Sequence, residues 1–380
     1  MLSSNNSWPA RYFIIDASRG IAALGVVCYH LGVGHRFNLG HACVMVFFVI
    51  SGYCITATSV SCQKSHTGFR TFMWRRIRRI FPPYWLALLL FVGTRLLKAS
   101  LGSGQQLSSS LTAWLQTASL TQWVGLVHSP ISFAAENPRL FVAAFWSLNY
   151  EEQFYLLMAA MIVIAGFRRS LLISVVPFTI VSFIANLAYP STSFGLFVDY
   201  WFHFSLGVLV YYRLCGGLRL LACRVIDALF ISLMLLSILK WPAHLNIAGT
   251  RSVYFEWLVA AGFAISLVVA RRWDVRFKES LIGSGLCSFG LITYSLYLTH
   301  QFNLHIAGAV ADKLRMAGLP SAIQFPAEIA VLVSIAIVFW FFCERPFINR
   351  PLRKEGLASN RIHLPTVSSN PEPALDIAGQ

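Results

Sequence analysis

Apolar runs long enough to cross a lipid bilayer recur along this chain. Such runs constrain the fold strongly, because every backbone N–H and C=O inside a bilayer must find its partner within the protein. Windows of roughly 20 apolar residues place helices near 14–34, 42–61, 80–97, 144–165 and 170–189. Five more follow near 196–213, 224–241, 253–270, 281–305 and 324–343. The expected fold class is therefore all-α, a polytopic membrane helical bundle of about ten transmembrane helices. Composition agrees, since 57% of the 380 residues are hydrophobic and 12% are charged, far from the balance of a soluble domain. One membrane domain is expected over 1–350. A tail over 351–380, too poor in apolar residues to pack, is expected to be cytoplasmic and disordered.

The net charge of +15 is a topological signal rather than a nucleic-acid footprint, because the basic residues fall in short clusters between apolar runs. Most Lys and Arg lie on one side if Arg11, the 64–79 loop, Arg168, Arg169, Arg213, Arg219, Arg224, the 271–278 loop and the tail share it. This asymmetry places both termini in the cytoplasm and implies an even number of spans. The first apolar run lacks a small-residue cleavage site and is read as a retained helix, not a signal peptide. Residues 98–143 form the one long outward connection, in which Trp114 and Trp123 either lie at the interface or re-enter the bundle. The eight cysteines show no CxxC spacing and read as ordinary buried thiols. His35, His41 and Cys43 lack a fourth ligand, so no metal site is expected.

The polar residues inside these runs are costly and are the candidates for function. In the first run, Arg19 and His30 are eleven residues apart, which puts them on nearly one helix face about 16 Å apart along the axis. They read either as a working face or as a snorkelling cation with a structural histidine. The cluster Arg75, Arg76, Arg78 and Arg79 precedes the third run. It either anchors anionic lipid or grips a phosphate-bearing ligand, Arg76 and Arg79 being an i,i+3 pair. Trp146, Ser147, Glu151 and Glu152 open the fourth run, where the acids either serve the helix dipole or face the bundle with a role. Asp199 and His203, four apart, suggest a mutual pair, and His300 reads as a helix cap, a loop contact or part of a substrate path.

Taken in order, these stretches resemble the acyltransferase-3 superfamily of integral membrane O-acyltransferases, which modify bacterial cell-surface and exported polysaccharides. The Arg-x10-His signature falls on Arg19 and His30, and Phe-Phe-x-x-Ser-Gly falls on Phe47, Phe48, Ser51 and Gly52. Arg-x-x-Arg falls on Arg76 and Arg79, Trp-Ser-Leu-x-x-Glu-x-x-Phe-Tyr on 146–155, and Tyr-Ser-Leu-Tyr-Leu-x-His on 294–300, with Glu344-Arg-Pro closing the last helix. Many members carry an acid just before the Phe-Phe pair, where this chain has Met45. Some append an extracellular esterase-like domain, for which 380 residues leave no space.

The resemblance implies transfer of an acyl group, most often acetyl from acetyl-CoA, to a glycan hydroxyl at the bacterial inner membrane. No bound cofactor is implied; acyl-CoA, a glycan acceptor and membrane lipids are the expected partners, and nucleic acid is not. In this scheme His30 is the general base and Glu151 orients it or binds acceptor hydroxyls. Arg19 either holds anionic CoA groups or stabilises the charge that develops in the transfer, and Arg76 and Arg79 receive the CoA phosphates. Ser51, Trp146, Ser147, Glu152, Tyr297 and His300 are the candidate acceptor path. Lipopolysaccharide, capsule, exopolysaccharide, peptidoglycan and a secondary metabolite all remain open as acceptors, as does the oligomeric state. A rival is a transporter or flippase using Arg19, His30 and Glu151 as a proton or substrate path. A third reading is a membrane acyltransferase of the other large class, with a buried His and an Asn or Asp partner.

Overall fold

The computed structural model describes residues 12–64, 68–100, 102, 110–123, 142–165, 171–190, 193–215, 218–240 and 252–348. The helices are α1 (Phe13–His30), α2 (Leu39–Lys64), α3 (Gly68–Ser100), α4 (Leu111–Ser119), α5 (Trp146–Ala165), α6 (Leu171–Ala188) and α7 (Trp201–Cys215). They continue as α8 (Leu220–Lys240), α9 (Val253–Ala270), α10 (Asp274–Glu279), α11 (Leu281–Phe289), α12 (Thr293–Met316), α13 (Ser321–Phe339) and α14 (Arg345–Ile348). No strand occurs among the described residues, so the all-α expectation holds. Arg11, Arg168, Arg169 and the expected tail at 351–380 lie outside the described residues.

Each expected apolar segment contains a helix, though not every one is long and apolar enough by itself to cross a membrane. Among the described residues six helical stretches are long and apolar enough to cross a membrane, and the bent pair α11–α12 makes seven. The distinction has physical causes. Helix α7 has only 15 residues, ten of them buried, so neighbouring helices rather than lipid cover most of its surface. Helix α5 opens on Asn149, Glu151, Glu152 and Gln153, which lower its apolar character. Leu, Ile and Val side chains on α6, α8 and α13 remain outward, among them Ile173, Ile180, Leu235, Leu239 and Ile337. That is the surface of a multi-pass membrane protein.

Two expected elements are redrawn. The segment 281–305 is not one helix: α11 and α12 meet at a 64° bend. A Cβ on Gly290 would lie 2.2 Å from the Asp16 carbonyl oxygen of α1, and one on Gly20 would lie 2.9 Å from the Phe289 ring. Ser280 caps α11 by accepting from Gly283 N–H at 3.0 Å, and Thr293 donates back to the Gly290 carbonyl at 3.0 Å. The bend therefore sits where α1 presses against the α11–α12 junction. Helix α3, expected from about residue 80, starts at Gly68 and takes in the arginine cluster, with Pro82 and Pro83 inside it.

Helix α2 is central, and its contact with α7 is backbone to backbone. A Cβ on Gly52 would fall 2.0 Å from the Phe204 carbonyl oxygen, and one on Gly207 would fall 2.0 Å from that of Val49. Only residues without a side chain allow this approach. Asp199 precedes α7 and accepts from Tyr150 Oη at 2.9 Å, Ser193 Oγ at 2.8 Å, Phe194 N–H at 3.0 Å and Gly195 N–H at 2.7 Å. His203 faces Glu256 of α9 at 4.0 Å.

Gly207→Ala should therefore lower the melting temperature of the purified protein by an amount matching overpacking of roughly 1–3 kcal/mol. Gly93→Ala, which meets nothing within 4 Å, should leave it unchanged or slightly raised, since Ala favours a helix interior. Equal melting temperatures for the two variants would contradict the α2–α7 contact.

Candidate functional site

The site begins with α1, which has to place a cation inside an apolar bundle. Arg19 lies 3.5 Å from Asp16, one turn earlier, and donates to Cys54 Sγ of α2 at 3.2 Å. It lines a cavity together with Phe47, Phe48 and Ser51 of α2, Arg79 of α3, and Ser147, Glu151 and Tyr155 of α5. Thr293, Tyr294 and Tyr297 of α12 complete the wall. Six of the residues singled out from the sequence thus meet around one space: Arg19, Ser51, Arg79, Ser147, Glu151 and Tyr297.

Glu151 is held rather than free. Ser51 donates to its Oε1 at 2.8 Å, and the Tyr155 hydroxyl donates to the same oxygen. The four-residue spacing of Glu151 and Tyr155 stacks them one turn apart on α5, which makes that second bond possible. Across the cavity, the Ser147 and Tyr297 hydroxyls are bonded at 2.6 Å, and Tyr297 also donates to the Ala144 carbonyl. Tyr294 donates to the Ile80 carbonyl of α3 at 2.9 Å, so α12 is anchored on both sides of the opening. Glu344, in the π-helical turn Trp340–Glu344 after α13, accepts from Ser295 N–H at 3.1 Å and from its hydroxyl. The closing Glu-Arg-Pro stretch thereby fixes the start of α12.

The remaining sequence candidates lie elsewhere. Arg76 is buried and turned away from the cavity, bonded to Thr58 Oγ1 and the Cys54 carbonyl of α2, with its guanidinium 5.6 Å from the Tyr155 ring. It braces the tyrosine that holds Glu151. Glu152 does not line the cavity. His30, at the other end of α1, has its ring 5.1 Å from that of His300. His300 is in turn 5.8 Å from the Tyr297 ring. A line of contacts therefore runs from the arginine-lined cavity through Tyr297 and His300 to His30. Glu151 is bonded on the far side of this line, not to His30.

Trp146 stacks on His41 at 5.5 Å with 14° between the rings. His41 Nε2 lies 2.7 Å from Glu256 Oε1, and Glu256 is completely buried. His35 and Cys43 go to other surroundings, His35 to the Tyr29 carbonyl at 2.7 Å and Cys43 against Gly25. Sequence reasoning passed over Glu256, although it is the one charged residue in Val253–Ala270, the signal that marked Arg19. Tyr155 and Tyr294 fall in the motifs at 146–155 and 294–300 but had no role assigned from the sequence, because their hydroxyls are indistinguishable from those of other interfacial tyrosines until the helices are docked.

Comparison with known proteins bears on this arrangement. A putative O-acetyltransferase of Staphylococcus aureus (strain COL) is 29% identical over 152 residues, covering 39% of this chain and 24% of the relative. The "Putative peptidoglycan O-acetyltransferase YrhL" of Bacillus subtilis is 30% identical over 161 residues, 40% of this chain and 23% of the relative. The "Peptidoglycan O-acetyltransferase OatA" of Listeria monocytogenes is 27% identical over 161 residues, 40% of this chain and 24% of the relative. The matches thus span about a quarter of the length of these relatives. No solved structure matches. The family model described as "Acyltransferase domain" matches residues 12–345, an interval that holds the cavity, the histidine pair and every helix bracing them, and the chain belongs to that acyltransferase-3 family.

Proposed function

We propose that this chain is an integral membrane O-acyltransferase that moves an acyl group, acetyl from acetyl-CoA, to a hydroxyl of a cell-surface or exported glycan. One observation carries the reading: two guanidinium groups, Arg19 and Arg79, line a cavity from which a file of side chains leads to the imidazole of His30. Coenzyme A has the matching layout, with its phosphates at one end of an extended arm and its thioester at the other. Relatives named as peptidoglycan O-acetyltransferases support a glycan as acceptor.

In a direct transfer, Arg19 and Arg79 bind the CoA phosphates, which suits planar guanidinium groups. The arm passes Tyr297 and presents the thioester carbonyl near His30. The imidazole takes the proton of the acceptor hydroxyl as that oxygen attacks the carbonyl carbon, the C–S bond breaks, and the proton passes to the departing thiolate. Charge sharing with Ser51 and Tyr155 keeps Glu151 fixed in the cavity wall, where it orients the arm or the acceptor. With a cytoplasmic N-terminus, the orientation that the distribution of Lys and Arg supports, the arginine end of α1 lies on the side where acyl-CoA is made and His30 about three turns nearer the outside.

Radiolabelled acetyl-CoA supplied to membranes from a deletion strain should label envelope glycan when the wild-type chain is restored and fail to do so with His30→Ala at matched abundance. Equal labelling would remove His30 from the chemistry, whereas loss of a transported solute with unchanged acetylation would favour the transporter. The two arginines of the Arg-x-x-Arg element should separate. Arg79→Ala should raise the KM for acetyl-CoA by roughly 10- to 100-fold, the value of a charge-assisted contact, with kcat little changed. Arg76→Ala should instead reduce thermal stability by removing the brace behind Tyr155. A KM unaffected by Arg79→Ala would return the cluster to a purely topological role.

A further inference from the structure

We propose that His300 is a positioning residue for His30, its Nε2 accepting the second ring N–H of His30 and so fixing which nitrogen meets the acceptor hydroxyl. The inference rests on the acyl-transfer reading, because it supplies a partner to the base which that reading uses.

The tautomer of His300 is set by its own helix. Its Nδ1 lies 2.8 Å from the Tyr297 carbonyl and 3.2 Å from the Leu296 carbonyl. Both are acceptors, so Nδ1 carries the hydrogen and the neutral ring leaves Nε2 as a bare lone pair. That nitrogen is buried with no hydrogen-bond partner among the described residues, in a side chain only 1% exposed. An orphaned acceptor at such depth is costly and calls for a reason. With Nδ1 turned onto the backbone of α12, Nε2 points off that helix, and the ring His300 meets on α1 is His30, at 5.1 Å and 42°.

The surroundings favour this partner. Ala23 and Val27 of α1 pack with Leu296 and Ala307 of α12 and Leu332 of α13 in one buried apolar cluster, which holds the two helices in register beside the histidines. The carboxylate that the sequence offered as the partner of His30, Glu151, is bonded to Ser51 and Tyr155. Ring centroids 5.1 Å apart leave room for a hydrogen bond between nitrogens that face each other, an orientation the soft terminal torsion of His30 permits. During transfer the proton leaving the acceptor oxygen adds to the other His30 nitrogen and later goes to the CoA thiolate. The N–H facing His300 stays in place, and its hydrogen bond strengthens while His30 is cationic.

The test exploits a device the chain already uses. Asn303 donates to the Thr299 carbonyl at 2.9 Å and Asn186 to that of Ser182 at 2.7 Å, so an asparagine amide replaces an Nδ1–H that bonds back along a helix. His300→Asn keeps the backbone bond and deletes the acceptor at Nε2, whereas His300→Gln places an amide oxygen near Nε2. With radiolabelled acetyl-CoA and the native envelope acceptor, His300→Asn should keep the KM for acetyl-CoA and lose roughly 100-fold in kcat. His300→Gln should recover at least a tenth of the wild-type kcat. His300→Met, similar in volume and without the acceptor, takes the place of Asn if that variant is not recovered folded, with the same expected loss. Wild-type kcat in the acceptor-less variant, or a Gln variant no better than it at equal abundance, would overturn the proposal. His30→Ala in the same assay separates the levels. If it transfers normally the acyl-transfer reading falls too; if it is inactive while His300→Asn is not, only the role of His300 falls.

Discussion

A carboxylate and two guanidinium groups sit inside a bundle that lipid surrounds, and the rest of the structure depends on keeping them satisfied. Glu151 cannot remain unpartnered at that depth. It is held from two helices, by Ser51 of α2 and Tyr155 of α5, and Arg76 of α3 backs the tyrosine. Arg19 is shared between Asp16 and Cys54. The Ser51–Glu151, Arg19–Cys54 and Arg76–Tyr155 contacts each tie one helix to another, so the polar residues that make the cavity also dictate which helices surround it.

The apolar packing then sets how closely those helices approach. The α2–α7 glycine contact brings backbone against backbone, and α2 can carry Ser51 inward on one face while Gly52, the next residue, meets α7 on another. The α11–α12 bend serves a similar end on the opposite side of α1. It lets α1 lie against Gly290 and sends α12 past the cavity with Tyr294, Tyr297 and His300 at successive turns. Helix α1 spans the assembly, with Arg19 in the cavity wall and His30 against His300.

Much of this was legible in the sequence because it follows from spacing. Eleven residues between Arg19 and His30 fix a shared face, and the order of short motifs around Phe47, Arg79, Glu151 and Tyr297 marks four separate helices that converge. Legibility stopped where the answer depends on which way a side chain turns after docking. Arg76 and Arg79 are three apart on α3, yet Arg79 lines the cavity while Arg76 bonds to α2. Glu151 was a natural partner for His30 by charge, but Ser51 is nearer to it once α2 and α5 pack. The count of about ten spans stays unconfirmed for a related reason: hydropathy reads helix α7, largely covered by other helices, as though lipid covered it.

The central claim is that α1 measures the distance between the acyl donor's charged end and its reacting end. A structure with a non-hydrolysable acetyl-CoA analogue bound tests it most directly. The account predicts analogue phosphates against Arg19 and Arg79, with the thioester mimic past Tyr297 and within reach of His30. Phosphates on the exposed Arg75 face of α3, or a thioester mimic at the Arg19 end of the cavity, would contradict it.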